Sequence, residues 1–452
     1  MIDSHAHLCD NRFERDRDQV IRRAQDAGVE LIVCPGTDLA DSRKAVELAG
    51  RSGAVLAAAG MDRESAAQVN RESLAELERL AGDGRCVAIG EIGLDYHYES
   101  TPRAVQRAAF EAQLELAGAL DLPVIVHCRE AFDDCLEILG RRRVRGVMHC
   151  FSGDADTVRR CCKLGLMVSF AGPVTYRKAE ALREAARATP AEHLMIETDS
   201  PYLAPQAVRG KRNEPAHLVH TVRILADVLG LSAQDVDRLT SVNARLLFGL
   251  PLAEEPVVVY RIRNSLYVNL TNRCTNQCVF CPRARNPRVA GHWLGLAPTD
   301  EPGAEAVISA IGDPRPYDEV VFCGFGEPTL RLEALLAAAR WVKERGGRTR
   351  LNTNGQADLI AGRAMAPELR GCIDTVSISL NTADPEQYAE LCRPERPGAF
   401  QAAIDFIRSA RQNGLDVVVT TLDYPEIDPA GVERLAGQLG VRFRLRTYRH
   451  LG

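Results

Sequence analysis

The sequence predicts an α/β protein built as a complete (β/α)8 barrel followed by a partial (β/α)6 barrel. Three observations lead there. Short β-branched runs alternate with helical stretches along the whole of the 452 residues. The first block holds eight such strand–helix units in about 250 residues, the usual size of a closed eight-strand barrel. The second holds six strands in about 195 residues, too few for another closed barrel of that size.

The strands of the first block are expected near 2–7, 30–35, 54–60, 86–91, 123–127, 145–149, 166–171 and 194–198. Between them lie amphipathic segments such as that of Phe110, Leu114 and Ala117, which share one helical face at i, i+4 and i+7. The block ends in Asn243-Ala244-Arg245-Leu246-Leu247-Phe248-Gly249, a helix closing on its glycine. Pro251-Leu252-Ala253-Glu254-Glu255-Pro256 then reads as a linker, with prolines bracketing acidic residues. The second block opens with a hairpin, Val257–Ile262 and Leu266–Leu270, turning at Arg263-Asn264-Ser265. Further strands are expected near 319–323, 348–353, 374–380, 416–421 and 441–447, with helices such as Leu332–Glu344 between them. The domains are therefore 1–250 and 257–452, joined by 251–256.

Composition bounds the function. Apolar residues make up 46% and charged residues 26%, which describes a globular chain with ample core. The net charge of −5 argues against a nucleic-acid coat protein, although a local basic patch can still meet phosphate. No apolar run approaches the ~20 residues of a membrane span. The start, Met1-Ile2-Asp3-Ser4-His5, has neither the basic nor the apolar region of a signal peptide. A cytoplasmic location is expected, where the 14 cysteines stay reduced. Cys34, Cys86, Cys161 and Cys162 fall in or beside apolar elements, as core cysteines do.

Two sets of chemistry-bearing residues stand out. In the first block, His5 and His7 are two apart on the first strand, so both leave one face. Glu91, His127, His149 and Asp199 each end a later strand. Strand ends of a βα barrel converge on one mouth. Four imidazoles and two carboxylates there have the composition of a two-metal hydrolytic centre, for which magnesium, manganese and zinc all remain eligible. His97, His193, His217 and His220 lack this placement and are read as ordinary structural histidines.

Five ordered segments carry a resemblance: Asp3-Ser4-His5-Ala6-His7-Leu8, Gly90-Glu91-Ile92-Gly93-Leu94-Asp95-Tyr96, His149-Cys150-Phe151-Ser152-Gly153, Glu197-Thr198-Asp199-Ser200-Pro201-Tyr202-Leu203 and Arg209-Gly210-Lys211-Arg212-Asn213-Glu214-Pro215. They resemble the TatD family of metal-dependent deoxyribonucleases. The resemblance implies that His5, His7, Glu91 and Asp199 hold one divalent metal and that Glu91, His127 and His149 hold the other. Glu91 would bridge, and Asp199 would orient or deprotonate the attacking water. DNA, or a smaller phosphoester, would be the substrate. One departure matters. The family's Gly-x-His-Pro-His signature after the third strand is replaced by Gly60-Met61-Asp62-Arg63-Glu64, so a substrate-facing histidine is missing. That leaves open a hydrolase acting on a small molecule. Arg209, Lys211 and Arg212 form a loop with charge suited to phosphate or to plain solvation, while Arg141-Arg142-Arg143 reads as a solvated helix end.

In the second block, Cys274, Cys278 and Cys281 follow directly on a strand. Three thiolates at this spacing can wrap one inorganic cluster and leave one metal position open. A zinc knuckle would need a fourth ligand, for which His292 and Cys323 are the nearest candidates. The run instead resembles the radical S-adenosylmethionine superfamily, closest to short domains of that superfamily associated with TatD proteins. That implies a [4Fe–4S] cluster on the three cysteines, with Phe280 as the aromatic before the last. S-adenosyl-L-methionine would sit at the fourth iron, and a flavodoxin- or ferredoxin-like donor would supply electrons. Gly324, Gly326 and Glu327 end the next strand, where an acidic side chain beside open glycine backbone suits the cofactor's ammonium group. Asn352, Asn354 and Ser379 end the two strands after it and are candidates for its hydroxyls and carboxylate. Cys323, Cys372 and Cys392 are isolated, so no auxiliary cluster is expected. The whole chain is thus expected to be a bifunctional enzyme whose radical substrate is unknown. A rival makes the second block a redox-sensing module that gates the hydrolase.

Overall fold

The computed structural model describes residues 1–98, 101–142, 144–284 and 286–446. Arg143 of the expected helix end, and the last residue of the strand expected at 441–447, lie outside them. The chain divides into two compact units, Met1–Leu252 and Ala253–Gly452, a division that falls within the 251–256 segment.

The first unit is an eight-stranded parallel sheet whose strands follow chain order: β1 Ile2–Asp3, β2 Leu31–Pro35, β3 Val55–Ala59, β4 Cys86–Asp95, β5 Val124–Arg129, β6 Gly146–Met148, β7 Met167–Phe170 and β8 Leu194–Ile196. Backbone bonds from Ser4 N to Ile196 O (3.1 Å) and from Asp199 N to His5 O (2.9 Å) bring the first strand back to the last. Ile2, Val33, Ala58, Ala88, Ile125, Val147 and Met195 supply apolar side chains from seven of the eight strands to one buried cluster. Ala244, Leu247 and Phe248, at the end of the helix Ala233–Leu247, join it. The larger core lies between strands and helices, and Phe110, Leu114 and Ala117 all enter it.

Two local features differ from the sequence expectation, and both aim ligands. β1 is only two residues long, so His5 and His7 lie beyond it, in a segment bridged through Ala6 and Ser200 to the stretch that follows β8. β4 runs on to Asp95, so Glu91 sits within the strand. The register of β4 against β5 shifts between Ile89 and Ile92. Such an irregularity lifts one residue out of the ladder and re-aims its side chain. Gly93, at φ +140°, lets β5 approach: a Cβ there would lie 2.0 Å from the His127 carbonyl oxygen.

The second unit is a seven-stranded sheet in the order β17-β16-β15-β14-β13-β10-β9. Its strands are β9 Val259–Ile262, β10 Ser265–Val268, β13 Glu319–Phe322, β14 Thr349–Thr353, β15 Thr375–Ser379, β16 Asp416–Leu422 and β17 Arg442–Arg446. The six from β10 onward are parallel, and β9 adds an antiparallel edge through the hairpin. A small ribbon that the sequence reading did not anticipate, β11 Arg288–Val289 with β12 His292–Trp293, stands apart from the sheet. Leu266, Val268, Val320, Phe322, Leu351, Val376, Ile378, Val417 and Val419 pack with the helices. The alternate residues form a more polar face, as the period-two pleat requires. Among the described residues no helix is long and apolar enough to cross a membrane.

Candidate metal centre and cluster loop

Glu91 is the pivot of the first site. Its Oε2 lies 3.4 Å from His5 Nε2 and 3.5 Å from His7 Nε2. Its Oε1 lies 3.0 Å from His127 Nδ1 and 3.2 Å from His149 Nε2. Each carboxylate oxygen thus faces its own pair of imidazoles, whose nitrogens are 3.1 Å apart in one pair and 3.2 Å in the other. Asp199 Oδ1 joins the first pair, 3.4 Å from His7 Nε2 and 3.9 Å from His5 Nε2. All six residues named from the sequence meet at this centre. His5, His7 and Asp199 converge within 4.8 Å, as do His5, Glu91 and His149. Lone pairs crowded this closely need shared positive charge, and the nitrogen–oxygen donor set fits divalent cations.

Electrostatics follow from burial and crowding. Burial alone would raise the Glu91 carboxyl, but the charge of His149 and bonds to His127, His149 and His5 hold it well below its usual range. Burial would also raise Asp199, and its bond to His7 and the charges of His5, His7 and His149 bring it down. Burial and the charge of His149 lower His5. For His149, burial is outweighed by Glu91 and Glu197, which raise it well above the ordinary value.

Four residues not assigned a role from the sequence shape this centre. Glu197 Oε1 lies 3.2 Å from His149 Nδ1 and accepts the Cys150 amide at 2.7 Å. Asp95 Oδ2 lies 3.0 Å from His127 Nε2. With protons on those outer nitrogens, His149 Nε2 and His127 Nδ1 are left with lone pairs free to ligate a cation. Both carboxylates stand within motifs already noted, two residues before Asp199 and four after Glu91, but nothing in their spacing says which nitrogen they hold. The third and fourth are Asp62 and Arg63, at the position of the missing histidine signature. Arg63 Nε lies 3.2 Å from Asp95 Oδ2 and Nη1 lies 3.6 Å from Asp62 Oδ2. Burial and the charge of Glu91 push the Asp62 carboxyl up to about 6.

In the basic loop, Arg209 and Arg212 both have partners within the protein. Arg212 donates to both oxygens of Asp16 (2.8 and 2.7 Å) and to Glu214 (2.8 Å), and its guanidinium lies 4.7 Å over the Phe13 ring. It staples the loop rather than offering itself to phosphate. Arg209 is likewise stacked, 4.6 Å over Tyr176.

In the second unit, Cys274, Cys278 and Cys281 lie on the loop after β10, each partly exposed. Among the described residues they are not a set whose sulfurs all lie within 4.8 Å of one another. Asn354 Nδ2 reaches Cys274 Sγ at 3.9 Å and donates to Thr275 Oγ1 at 2.8 Å. Phe280 packs 5.5 Å from Tyr424. Burial pushes the Cys274 thiol up to about 12, so binding a metal must displace its proton. Cys392, solitary in sequence, stands beside this loop. The loop bonds to the end of the helix Pro385–Cys392 through Gln277 N to Cys392 O (3.0 Å) and Val279 N to Leu391 O (2.9 Å).

Glu327 also departs from expectation. Its carboxylate is 2% exposed and accepts from Thr329 N (3.0 Å), Thr329 Oγ1 (2.7 Å), Thr353 Oγ1 (2.9 Å) and Asn354 N (2.7 Å). It ties the ends of β13 and β14 together instead of lying open beside glycine backbone. Gly324 and Gly326 face the cluster loop: Cβ atoms there would lie 2.4 Å from Asn269 Oδ1 and 2.2 Å from the Thr271 carbonyl oxygen. Asn352 and Ser379 are partly buried at the ends of β14 and β15, and Asn352 Oδ1 is buried without a hydrogen-bond partner.

Comparison with known proteins bears on both units. A family described as TatD related DNase matches residues 2–249, and the Radical SAM superfamily matches residues 268–438. An uncharacterized metal-dependent hydrolase, YabD of Bacillus subtilis (strain 168), is 37% identical over 251 residues, which cover 55% of this chain and 98% of that protein. The 3'-5' ssDNA/RNA exonuclease TatD of Erwinia billingiae is 38% identical over 260 residues, covering 56% and 100%. The crystal structure of YJJV, a TatD homolog from Escherichia coli K12, matches with 29% identity and a TM-score of 0.53, covering 56% of this chain and 98% of that one.

Proposed function

Because the chain belongs to the TatD related DNase family through residues 2–249 and carries a Radical SAM superfamily domain over 268–438, we propose that it is a bifunctional enzyme. The first unit is a two-metal phosphoester hydrolase. The second reductively cleaves S-adenosylmethionine at a [4Fe–4S] cluster to modify another substrate, with electrons from a flavodoxin- or ferredoxin-like donor.

The observation that carries the hydrolase reading is Glu91, whose two oxygens each face a separate pair of histidine nitrogens. His5, His7, Asp199 and Glu91 would hold one divalent cation (magnesium, manganese or zinc), and Glu91, His127 and His149 the other. Such a pair lowers the pKa of water and steadies both oxygens of an ester displacement. The chain's residues do the rest. Asp95 and Glu197 fix the outer nitrogens of His127 and His149. Asp199, held ionised by the imidazoles around it, would take the proton of the attacking water. Single-stranded nucleic acid is the leading substrate class, supported by the exonuclease relative. A smaller phosphoester is the second reading, favoured by Asp62 and Arg63 at the position of the missing histidine.

In the second unit, Cys274, Cys278 and Cys281 would hold the cluster, which supplies the electron that cleaves the cofactor's sulfonium bond. Phe280, Gly324, Gly326, Glu327, Asn352, Asn354 and Ser379 shape and steady that mouth. Two assays test the proposal. Manganese-loaded protein should shorten single-stranded DNA from its 3′ end and lose that activity as Asp199→Asn. Anaerobically reconstituted protein with dithionite should turn S-adenosylmethionine into 5′-deoxyadenosine. Absence of either product from fully loaded protein refutes the corresponding half.

A further inference from the structure

The segment that carries the three cluster cysteines holds two arginines, and the fold uses them differently. Arg273, just before Cys274, is half exposed and tied to Glu301 at 2.7 Å. Arg283, two residues after Cys281, turns back across the loop. Cys281 N donates to Cys278 O at 3.0 Å, and Pro282 opens the short helical turn Pro282–Ala284. From that turn Arg283 Nη2 donates to Asn276 O at 3.2 Å. Asn276 lies midway between Cys274 and Cys278, and its own amide reaches Cys274 Sγ at 3.4 Å. The guanidinium therefore spans the loop, from beyond its last cysteine to the stretch between its first two.

Asn276 is a firm anchor for it. The residue is 4% exposed, with Oδ1 accepting from Gln356 Nε2 at 2.7 Å and Nδ2 donating to Tyr388 Oη at 3.2 Å. A structural staple would need no more than the Nη2 bond. Arg283 Nη1, however, is buried and has no hydrogen-bond partner among the described residues. A buried charged donor left open is costly unless an anion answers it. The anion that this loop supplies is the thiolate set of Cys274, Cys278 and Cys281 with the iron–sulfur core it would hold. Burial raises the Cys274 and Cys281 thiols, and the charge of Arg283 opposes that rise at both.

We infer that Arg283 donates through Nη1 to the cysteine-bound cluster and makes its reduced state easier to reach. The inference rests on the radical S-adenosylmethionine reading and adds to it a residue that tunes the cluster. Reduction brings one electron from the donor protein into the cluster, adding one negative charge and no proton. A guanidinium keeps its own proton throughout, so it stabilises the reduced cluster more than the oxidised one. Hydrogen bonds to cluster sulfur are among the determinants of such potentials.

A redox titration followed by electron paramagnetic resonance tests it on the full chain, reconstituted anaerobically with iron and sulfide. Arg283→Gln removes the charge but keeps a side chain able to donate to Asn276 O. It should load iron as wild type does. At a given potential its ratio of reduced to oxidised cluster should fall roughly tenfold, a midpoint about 59 mV lower for one electron. Arg283→Lys keeps the charge, and its ratio should stay within about threefold of wild type. A loaded Arg283→Gln protein with the wild-type midpoint overturns the inference. A measurement on wild type covers a glutamine variant that fails to load. With heavy nitrogen in its guanidinium groups alone, the reduced wild-type protein should show nitrogen coupling to the cluster's unpaired electron in pulsed resonance. Arg283→Lys should lose that coupling. No coupling in wild type, or one that survives in the lysine variant, also overturns it. The wild-type preparation is assayed for iron–sulfur absorbance and 5′-deoxyadenosine. An unshifted glutamine variant beside wild type that makes 5′-deoxyadenosine sinks the role of Arg283 alone. Wild type that holds no cluster removes the reading on which that role depends.

Discussion

Replacing Gly326 by alanine should unseat the cluster loop while leaving the first barrel whole. A Cβ at this position lies 2.2 Å from the Thr271 carbonyl oxygen, 2.5 Å from that of Arg273 and 2.8 Å from the Thr271 carbonyl carbon. All three are backbone atoms of the strand-to-loop segment that leads into Cys274, so no rotamer change relieves the overlap. The two segments must part by about 1 Å to restore a normal contact distance. That movement breaks the Glu327 N to Arg273 O bond of 2.7 Å and drags Glu327 away from Asn354 and Thr329. Overpacking of this kind costs about 1–3 kcal/mol, and the lost backbone bond about 1 kcal/mol. For a unit of this size, about 2–4 kcal/mol lowers the melting temperature by roughly 4–16 °C. Calorimetry of the intact chain reads the shift, and iron per chain after anaerobic reconstitution reads the loop, which should hold less than half the wild-type content. Gly437→Ala is the control, since nothing lies within 4 Å of its added Cβ inside the helix Pro429–Leu439. A Gly326→Ala protein with wild-type iron and wild-type melting would refute the steric reasoning.

Other outcomes follow from the first site. Glu197→Gln keeps the shape but weakens the grip on His149 Nδ1, so affinity for the cation between Glu91, His127 and His149 should fall by roughly 10–100-fold; metal titration against a fluorescent chelator measures it. Asp62 should make the chelated protein less stable as pH rises. Its carboxyl is raised to about 6 by burial and by Glu91, so the folded state keeps its proton where the unfolded chain, with a pKa of about 3.9, has lost it. The stability is present below pH 4, is lost progressively from pH 4 to 6, and stays lost above. Asp62→Asn does not titrate, and its advantage over wild type should therefore grow by about 3 kcal/mol across that window. Denaturant unfolding in excess chelator gives the difference. A flat difference from pH 4 to 7 would show that the buried carboxyl titrates normally.

Much of this was written in the chain itself. The two kinds of block, all eight strands of the first unit and the six parallel strands of the second were legible because β-branched runs and turn residues are local signals. The meeting of His5, His7, Glu91, His127, His149 and Asp199 was legible because strand ends of βα units converge, so placement along the chain implies placement in space. The antiparallel β9 was visible as a hairpin, yet its place at the sheet edge required the register.

What the sequence could not state is what each side chain does on arrival. Glu91 was expected at a strand end; only the register shift in β4 shows how its two oxygens come to face different histidine pairs. Arg212 and Glu327 looked open to ligand, and tertiary contacts commit one to Asp16 and the other to Asn354 and Thr329. Cys392 looked solitary until backbone bonds set it beside the cluster loop. The reason is common to all of these. Residue type and spacing determine which donors and acceptors exist, but which of them remain free is settled by partners distant in the chain, and only the packed structure supplies those.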